Sequence, residues 1–293
     1  MRDILTVIAG FVILILAAAL IAPPFLDWEM HRDAIDRAVS RATGTEARTE
    51  GRIGVRLLPS PRIRFDRLRL GGTQPDAPSL TSDFIWSEIA LTPLLRGEVR
   101  FLDTRVGRAD IRIPVSENGS WRLPAELLAG DALTRQWAID DLRVSQLLVT
   151  THVPTTGRTD QLYAENVAIE SQKLIGPWRI EGTTAGVPFR FATGELASDR
   201  TIQVKLTGGG EVFPRFDIDG KLALDPGADG TTTPNIAGKA RVFLGPGAQT
   251  PAAAIPIPVA VETGFSTSGG TVELENVVVE AGEGGASLRL TGT

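Results

Sequence analysis

The chain has 293 residues, of which 42% are hydrophobic and 22% charged, and its net charge is −5. This composition is typical of a folded protein rather than a disordered one. The negative charge argues against nucleic acid as a partner, because that partner needs a basic surface to neutralise its phosphates. The absence of Cys, with only His31 and His152 as imidazoles, excludes disulfides and thiol nucleophiles and leaves few ligands for a metal. We therefore expect a non-enzymatic protein with no cofactor and no metal.

The first segment predicts a transmembrane anchor over residues 1–26. Ile4–Leu26 contains 23 consecutive residues without a charge. At about 1.5 Å per residue, a helix of this length reaches roughly 34 Å, which exceeds the hydrocarbon core of about 30 Å. Pro23 and Pro24 are expected to end the helix near the far interface.

A cleaved signal peptide is the alternative for this segment, since Ala17–Ala19 offers a small-residue cleavage site. Apolar character that continues to Leu26 favours the uncleaved anchor. Both alternatives place the rest of the chain across a membrane. Arg2 and the terminal amine, compared with Asp27 and Glu29 after the segment, favour a cytoplasmic N-terminus.

One amphipathic helix is predicted directly after the anchor. Asp27 or Asp33 can cap its start, and Gly44 is expected to end it. Its apolar residues recur every three or four positions, at Met30, Ala34, Ile35, Ala38, Val39 and Ala42.

After Gly44 the apolar period changes from 3.6 to 2, which predicts strands. Between Phe65 and Leu68 the alternation slips by one residue, which predicts a bulge or bend. Leu58–Pro61 is expected to be a turn. Further alternating runs lie at Ile111–Val115, Leu142–Val149, Val167–Ile169, Phe189–Phe191, Ile202–Leu206, Ile218–Leu224 and Val272–Val279. The patterns predict a mainly β protein with few helices, built on a long antiparallel, twisted sheet.

Acidic or amide residues recur ahead of several of these runs. We interpret Phe65–Leu70, Ile139–Val144, Leu162–Ile169 and Leu274–Val279 as turns that lead into strands of repeated hairpins. A second short helix is predicted at Pro124–Trp137, and Pro226–Pro234 and Gly245–Pro258 are expected to be long loops. The last alternating pattern runs almost to Thr293 without a closing helix, so we expect the chain to be truncated at its C-terminal end.

Several spaced elements in the first part of the chain resemble the start of AsmA family proteins. They are Asp27–Trp28, the helix end Ala42–Gly44, Glu50–Gly51, Leu57–Arg62, and Leu91–Val99 with the strand that follows to Ile111. The resemblance is specific over about residues 1–125. It implies a bacterial inner-membrane helix followed by a periplasmic β-rich body, with a role in outer-membrane biogenesis. It implies no catalytic residues.

The resemblance divides the chain into an anchor (residues 1–26), an AsmA-like helix and β domain (27–125) and a β-rich continuation (126–293). The apolar face of the sheet must be covered in one of two ways. It forms either an open groove for phospholipid acyl chains, as the resemblance implies, or a closed sandwich that serves as a scaffold for envelope or outer-membrane proteins. Burying acyl chains is favourable by about 0.8 kcal/mol per CH₂ group.

The candidate groove residues are the apolar members of the first alternating runs: Ile53, Val55, Leu57, Ile63, Phe65, Leu68, Leu70, Ile111 and Ile113. Arg62 and Arg64 are the candidates for contact with anionic headgroups, because the stretch Arg48–Arg69 is rich in Arg and follows the anchor closely. The alternative is that these arginines form the polar faces of amphipathic strands. Two acidic pairs, Asp140–Asp141 and Asp217 with Asp219, are considered as acid–base dyads, although exposed strand positions explain them as well.

Overall fold

The computed structural model describes residues 27–58, 60–74, 77–94, 96, 98–117, 120–122, 137–172, 176–210, 213–226, 231–245, 257–268, 271–282 and 288–292. The predicted anchor over residues 1–26 lies outside the described residues. So does the predicted helix at 124–136, and Trp137 itself begins a strand. Across the described ranges, no helix is both long enough and apolar enough to cross a membrane.

The predicted helix between Asp27 and Gly44 is confirmed. It begins with a 3₁₀ turn, Trp28–His31, whose cap is the Asp27 side chain, which accepts a hydrogen bond from the Glu29 backbone N–H at 3.1 Å. The α-helix α1, Arg32–Thr43, follows. It ends at Gly44, which has a φ of 73° and donates its N–H to the Ser40 carbonyl oxygen at 2.8 Å. A short helix α2, Leu91–Leu94, is the other helix that the described ranges contain.

The rest of the described chain is mainly β, as predicted. The strands are β1 (Ala47–Arg56), β2 (Arg62–Gly71), β3 (Ser79–Ser82), β4 (Ile85–Ile89), β5 (Val99–Pro114), β6 (Trp121–Arg122), β7 (Trp137–Val153), β8 (Arg158–Ser171), β9 (Trp178–Thr184), β10 (Val187–Thr193), β11 (Thr201–Gly208), β12 (Arg215–Pro226), β13 (Thr231–Leu244), β14 (Val259–Ser268), β15 (Thr271–Ala281) and β16 (Leu288–Gly292). The predicted loop Pro226–Pro234 is therefore partly wrong, because β13 already begins at Thr231.

All the described strands belong to one 16-stranded sheet. Its order is β1-β2-β3-β5-β7-β8-β9-β10-β11-β12-β13-β14-β15-β16, with β4 between β2 and β5 and with β6 beside β13. The sheet is mixed rather than wholly antiparallel, because β5 and β7 run parallel. A parallel pair needs a crossover connection of a dozen or more residues, and the chain between Pro114 and Trp137 supplies it.

The sheet is strongly bent. β6 follows β5 along the chain, yet Trp121 pairs with Thr232 of β13, and the hydroxyls of Ser120 and Thr233 are 2.6 Å apart. Val115 meanwhile remains bonded to β7, donating its N–H to the His152 carbonyl oxygen at 2.8 Å. The far end of β5 therefore lies close to the start of β13, although several strands separate the two in sheet order.

The four segments with acidic or amide residues are not turns, as we had interpreted them, because each lies inside a strand. At each of these segments, one strand instead has an extra residue relative to its partner. The four register shifts lie between Glu50 and Ile53 of β1, opposite Asp66; between Ile139 and Leu142 of β7; between Glu165 and Ala168 of β8; and on β15, opposite Glu262–Gly264 of β14. The first shift is the bulge predicted from the slip between Phe65 and Leu68, with the extra residue on β1. Bulges of this kind bend a strand and increase its twist.

Candidate functional site

One face of the sheet carries an apolar row that runs across almost all of it. Residues that pair across neighbouring strands point to the same face, so the row can be followed through the ladder. We call it the long apolar row; its members, from β1 to β13, are Val55, Ile63, Ser87, Thr104, Leu142, Ile169, Ile180, Phe191, Leu206, Ile218 and Ala240. Measured along the sheet it is about 50 Å long, at about 4.8 Å per strand. Its two polar members, Ser87 and Thr104, bond to each other at 2.7 Å.

Parallel rows widen this surface, which we call the apolar face. One row joins Ile53, Phe65, Ile85, Val106, Val144 and Val167. A second joins Ala47, Leu70, Leu80, Ile111, Val149 and Leu162. A third lies in the C-terminal strands and joins Phe189, Gly208, Phe216, Val242, Val261, Val279 and Leu290.

The buried residues of the apolar face lie mainly between β1 and β8. The core is a cluster on adjacent strands, formed by Val106, Ala109, Val144, Ala164 and Val167. From β9 onwards the apolar side chains are half-buried or exposed, apart from Val204, which is 8% exposed. Leu274 and Leu290, near the last strand, are 55% and 58% exposed.

The structure brings eight of the nine predicted groove residues together on the apolar face. Ile53, Phe65 and Leu68 are buried, and five others are half-buried: Val55, Ile63, Leu70, Ile111 and Ile113. Leu57 is 43% exposed, just beyond the end of β1. The more accessible apolar positions thus lie further along the chain than the sequence candidates do.

The sequence analysis missed the part of the apolar face that lies on β10–β12. Phe191, Leu206 and Ile218 belong to alternating runs that were predicted as strands, but they were not assigned to a groove. The available signal was the alternation itself, since apolar residues at every second position share one face.

Arg62 and Arg64 lie on the opposite, outer face of the sheet. Arg62 pairs with Glu88 at 2.9 Å, and its guanidinium lies 5.5 Å from the centre of the Trp86 ring. Arg64 pairs with Asp66 at 3.3 Å and lies over the Phe84 ring. The structure therefore does not bring either guanidinium to the nine apolar candidates.

Ion pairs cover this outer face. They link neighbouring strands, as in Arg190–Glu181 at 2.7 Å, or residues two apart on one strand, as in Arg143–Asp141 at 2.9 Å. The hydrogen bond and charge of Asp140 raise the pKa of Arg100, and those of Glu262 raise the pKa of Arg241. An apolar face and a charged face on one sheet are expected where a single side meets apolar material.

The acidic pairs take part in these ion pairs instead of facing each other as dyads. Asp140 pairs with Arg100, whereas Asp141 pairs with Arg143. Asp217 and Asp219 both contact the Lys205 ammonium, at 3.6 and 3.0 Å, and these contacts raise the pKa of Lys205. Within the described ranges, no group of three or more His, Asp or Glu residues is arranged to hold a metal ion.

Residues 1–136 match the family model of the AsmA family. Comparison with curated proteins finds no match, and comparison with solved structures finds none either.

Proposed function

We propose that this chain, whose residues 1–136 match the AsmA family model, holds phospholipid acyl chains along the apolar face of its sheet. The family supports a role in envelope or outer-membrane biogenesis and an association with membranes. Lipid handling is the specific form of that role which the sheet favours. The proposal assigns no reaction and no cofactor to the chain.

The observation that carries the proposal is the long apolar row with its half-buried side chains. A sheet packed against a second layer would bury its inner apolar residues, yet Phe191, Leu206 and Ile218 all stay half-buried. Acyl chains that lie on such a surface gain about 0.8 kcal/mol for each CH₂ group that leaves water. The charged outer face supports the same arrangement, since it is suited to water.

The proposed setting is the bacterial inner membrane. Residues 1–26 would span it once with the N-terminus in the cytoplasm, and the sheet would stand in the periplasm. The family's association with membranes supports this setting, and the apolar character of Ile4–Leu26 supports the single span. The anchor would then fix the β1 end of the apolar face near the donor membrane.

A closed sandwich that binds an envelope protein as a scaffold is the alternative. It has less support, because all the described strands belong to one sheet and the apolar residues of β9–β13 other than Val204 are not fully buried. An assembly factor would also need a distinct partner surface, and the ion pairs of the outer face are already satisfied within the chain.

Site-specific photocrosslinking in intact membranes tests the proposal. A photoreactive side chain at Leu206, on the apolar face of β11, is expected to give a phospholipid adduct that mass spectrometry identifies. The matched control is Gln203, on the same strand but on the outer face, where no lipid adduct is expected. Protein adducts without lipid at Leu206 would favour the scaffold, and equal lipid labelling at both positions would contradict a lipid-specific face.

A further inference from the structure

β1 is the first strand in the sheet order. Its edge that does not pair with β2 contacts α1. Even-numbered residues of β1 face β2, as the bond from the Gly71 N–H to the Glu46 carbonyl oxygen shows. The backbone groups of Ala47, Thr49 and Gly51 therefore point away from the sheet. Edge groups of this kind are a template for pairing with another strand.

Three side chains of α1, spaced by four residues, bind these edge groups. Arg32 donates to the carbonyl oxygens of Thr49 and Gly51, each at 2.6 Å. Asp36 accepts from the Thr49 N–H at 3.0 Å and from its hydroxyl at 2.6 Å. Ser40 accepts from the Ala47 N–H at 2.8 Å. Because residues four apart share one face of a helix, α1 presents donors and acceptors in the order that a paired strand would.

The same four groups suit an antiparallel copy of β1 related by a two-fold axis at Thr49. In that arrangement the N–H and carbonyl of each Thr49 bond to those of the other, and each Ala47 N–H meets a Gly51 carbonyl. We infer that the β1 edge is a self-pairing surface for a second copy of this chain, and that α1 keeps it closed.

Charge supports a second copy as the occupant. Arg48 and Glu50 flank Thr49 and have largely exposed side chains, 65% and 56% accessible. Each forms an ion pair within the chain, with Glu46 at 2.9 Å and Arg67 at 2.8 Å, and exposed pairs of this kind contribute only about 0–1 kcal/mol. A two-fold axis at Thr49 places Arg48 of one chain opposite Glu50 of the other, twice over. Opposite charges directly across an antiparallel pair stabilise it, whereas an out-of-register pairing loses both contacts.

The experiment compares two double variants of the 293-residue chain in detergent. Arg32→Ala with Asp36→Ala removes the contacts to Thr49 and Gly51. Asp33→Ala with Arg37→Ala removes the same residue types from the same helix, where Arg37 donates to the helix's own Asp33 carbonyl. Light scattering is expected to show at least a twofold rise in protein mass for the first variant, relative to wild type and control at equal concentration. An unchanged mass would overturn the inference.

Cysteine crosslinking tests the register, since the natural chain contains no Cys. Residues opposite each other in a non-hydrogen-bonded pair have Cα atoms about 4.5 Å apart, within the range for a disulfide. In the Arg32→Ala, Asp36→Ala background, mixing chains that carry Arg48→Cys with chains that carry Glu50→Cys is expected to give a disulfide-linked dimer. Replacing the first partner by Arg67→Cys, on β2, should give none. Equal crosslinking in both mixtures would overturn the two-fold register.

Amide hydrogen exchange keeps the inference testable if the double variant does not fold. In the wild-type chain the Thr49 and Ala47 N–H groups should be protected as strongly as those of Arg48 and Glu50. Exchange of Thr49 and Ala47 at the rate of a free peptide would show that α1 does not close the edge. None of these three experiments depends on lipid, so their failure and that of the proposed function are distinguishable.

Discussion

Gly238 lies opposite Gly220 where β12 pairs with β13, and both residues belong to the apolar face. A Cβ at Gly238 would collide with the Asp219 carbonyl oxygen and approach the Gly220 Cα to 2.6 Å. The two backbones can come this close because neither residue has a side chain. The glycine pair thus allows β12 and β13 to approach each other closely at this point.

Adding even one methyl group at this close approach should therefore lower the stability of the fold. We expect Gly238→Ala to lower the free energy of unfolding by about 1–3 kcal/mol, the usual cost of forcing atoms into a packed site. Gly210→Ala is the control, because a Cβ there would meet no atom within 4 Å. Chemical denaturation followed by circular dichroism measures the stability of both variants. Equal midpoints would contradict the claim that Gly238 has no room for a side chain.

The placement of Arg62 and Arg64 on the outer face separates two roles for them. Reversing both charges should leave lipid crosslinking at Leu206 unchanged, since neither guanidinium lies on the apolar face. If the two arginines do contact anionic headgroups, binding to anionic vesicles should weaken by about tenfold or more, at about 1 kcal/mol per basic residue.

Vesicle flotation measures this binding. Arg179→Glu with Arg190→Glu is the matched control, because both residues also lie on the outer face and also form ion pairs. Unchanged vesicle binding by the Arg62 and Arg64 variant would contradict a headgroup role for these residues.

At the scale of elements, bulges replace the turns that the sequence analysis assigned. Asn166 on β8 and Asn276 on β15 both have a φ of 51°, a left-handed conformation that few residues other than Gly, Asn and Asp adopt readily. Each lies where the ladder gains an extra residue. The amide residues of the recurring pattern therefore mark places where a long strand bends without ending.

The positive φ of Asn166 predicts different effects for two substitutions at this position. Asn166→Val should lower the free energy of unfolding by about 1–2 kcal/mol, because a β-branched residue tolerates a positive φ poorly. Asn166→Gly should stay close to wild type, because Gly adopts this conformation without steric cost. Urea denaturation of both variants measures the difference. Equal losses would show that the amide side chain, and not the backbone angle, is what the position requires.

At the scale of the whole molecule, the apolar face forms one path from β1 to the last strands. We place this path on the inner side of the bend that brings β6 to β13, because its apolar side chains are less exposed than the arginines of the outer face. A continuous path predicts that one charge in its middle interrupts it.

Photocrosslinkers at Leu80, near the β1 end, and at Val279, near the β16 end, can detect such an interruption. With Ile218→Glu on β12, the lipid adduct at Val279 should fall at least several-fold while the adduct at Leu80 persists. Lys221→Glu, on the outer face of β12, should change neither. Unchanged labelling at Val279 would contradict a single path, and loss at both positions would indicate a general defect in the sheet.

Strand order was the part of the fold that local patterns could not predict. The parallel pairing of β5 with β7 depends on a crossover through residues 115–136, and β6 finds its partner in β13, more than a hundred residues along the chain. The bulges were misread for a similar reason, because an Asn with positive φ is locally the same in a turn and in a bulge. Only the neighbouring strand decides between the two.

The sequence by itself determined the features that depend on near neighbours. The helix between Asp27 and Gly44 follows from its caps and its apolar spacing, and the two faces of each strand follow from a period of two. That period also places Arg62 and Arg64 opposite Ile63 and Phe65. The tertiary structure alone decided that these faces join into one apolar surface, that β6 closes the bend at β13, and that α1 covers the β1 edge. The first two depend on backbone hydrogen bonds between segments distant in the chain, and the third depends on bonds from α1 side chains to backbone groups of β1. Because the backbone is chemically the same at almost every residue, the sequence does not specify which groups will pair.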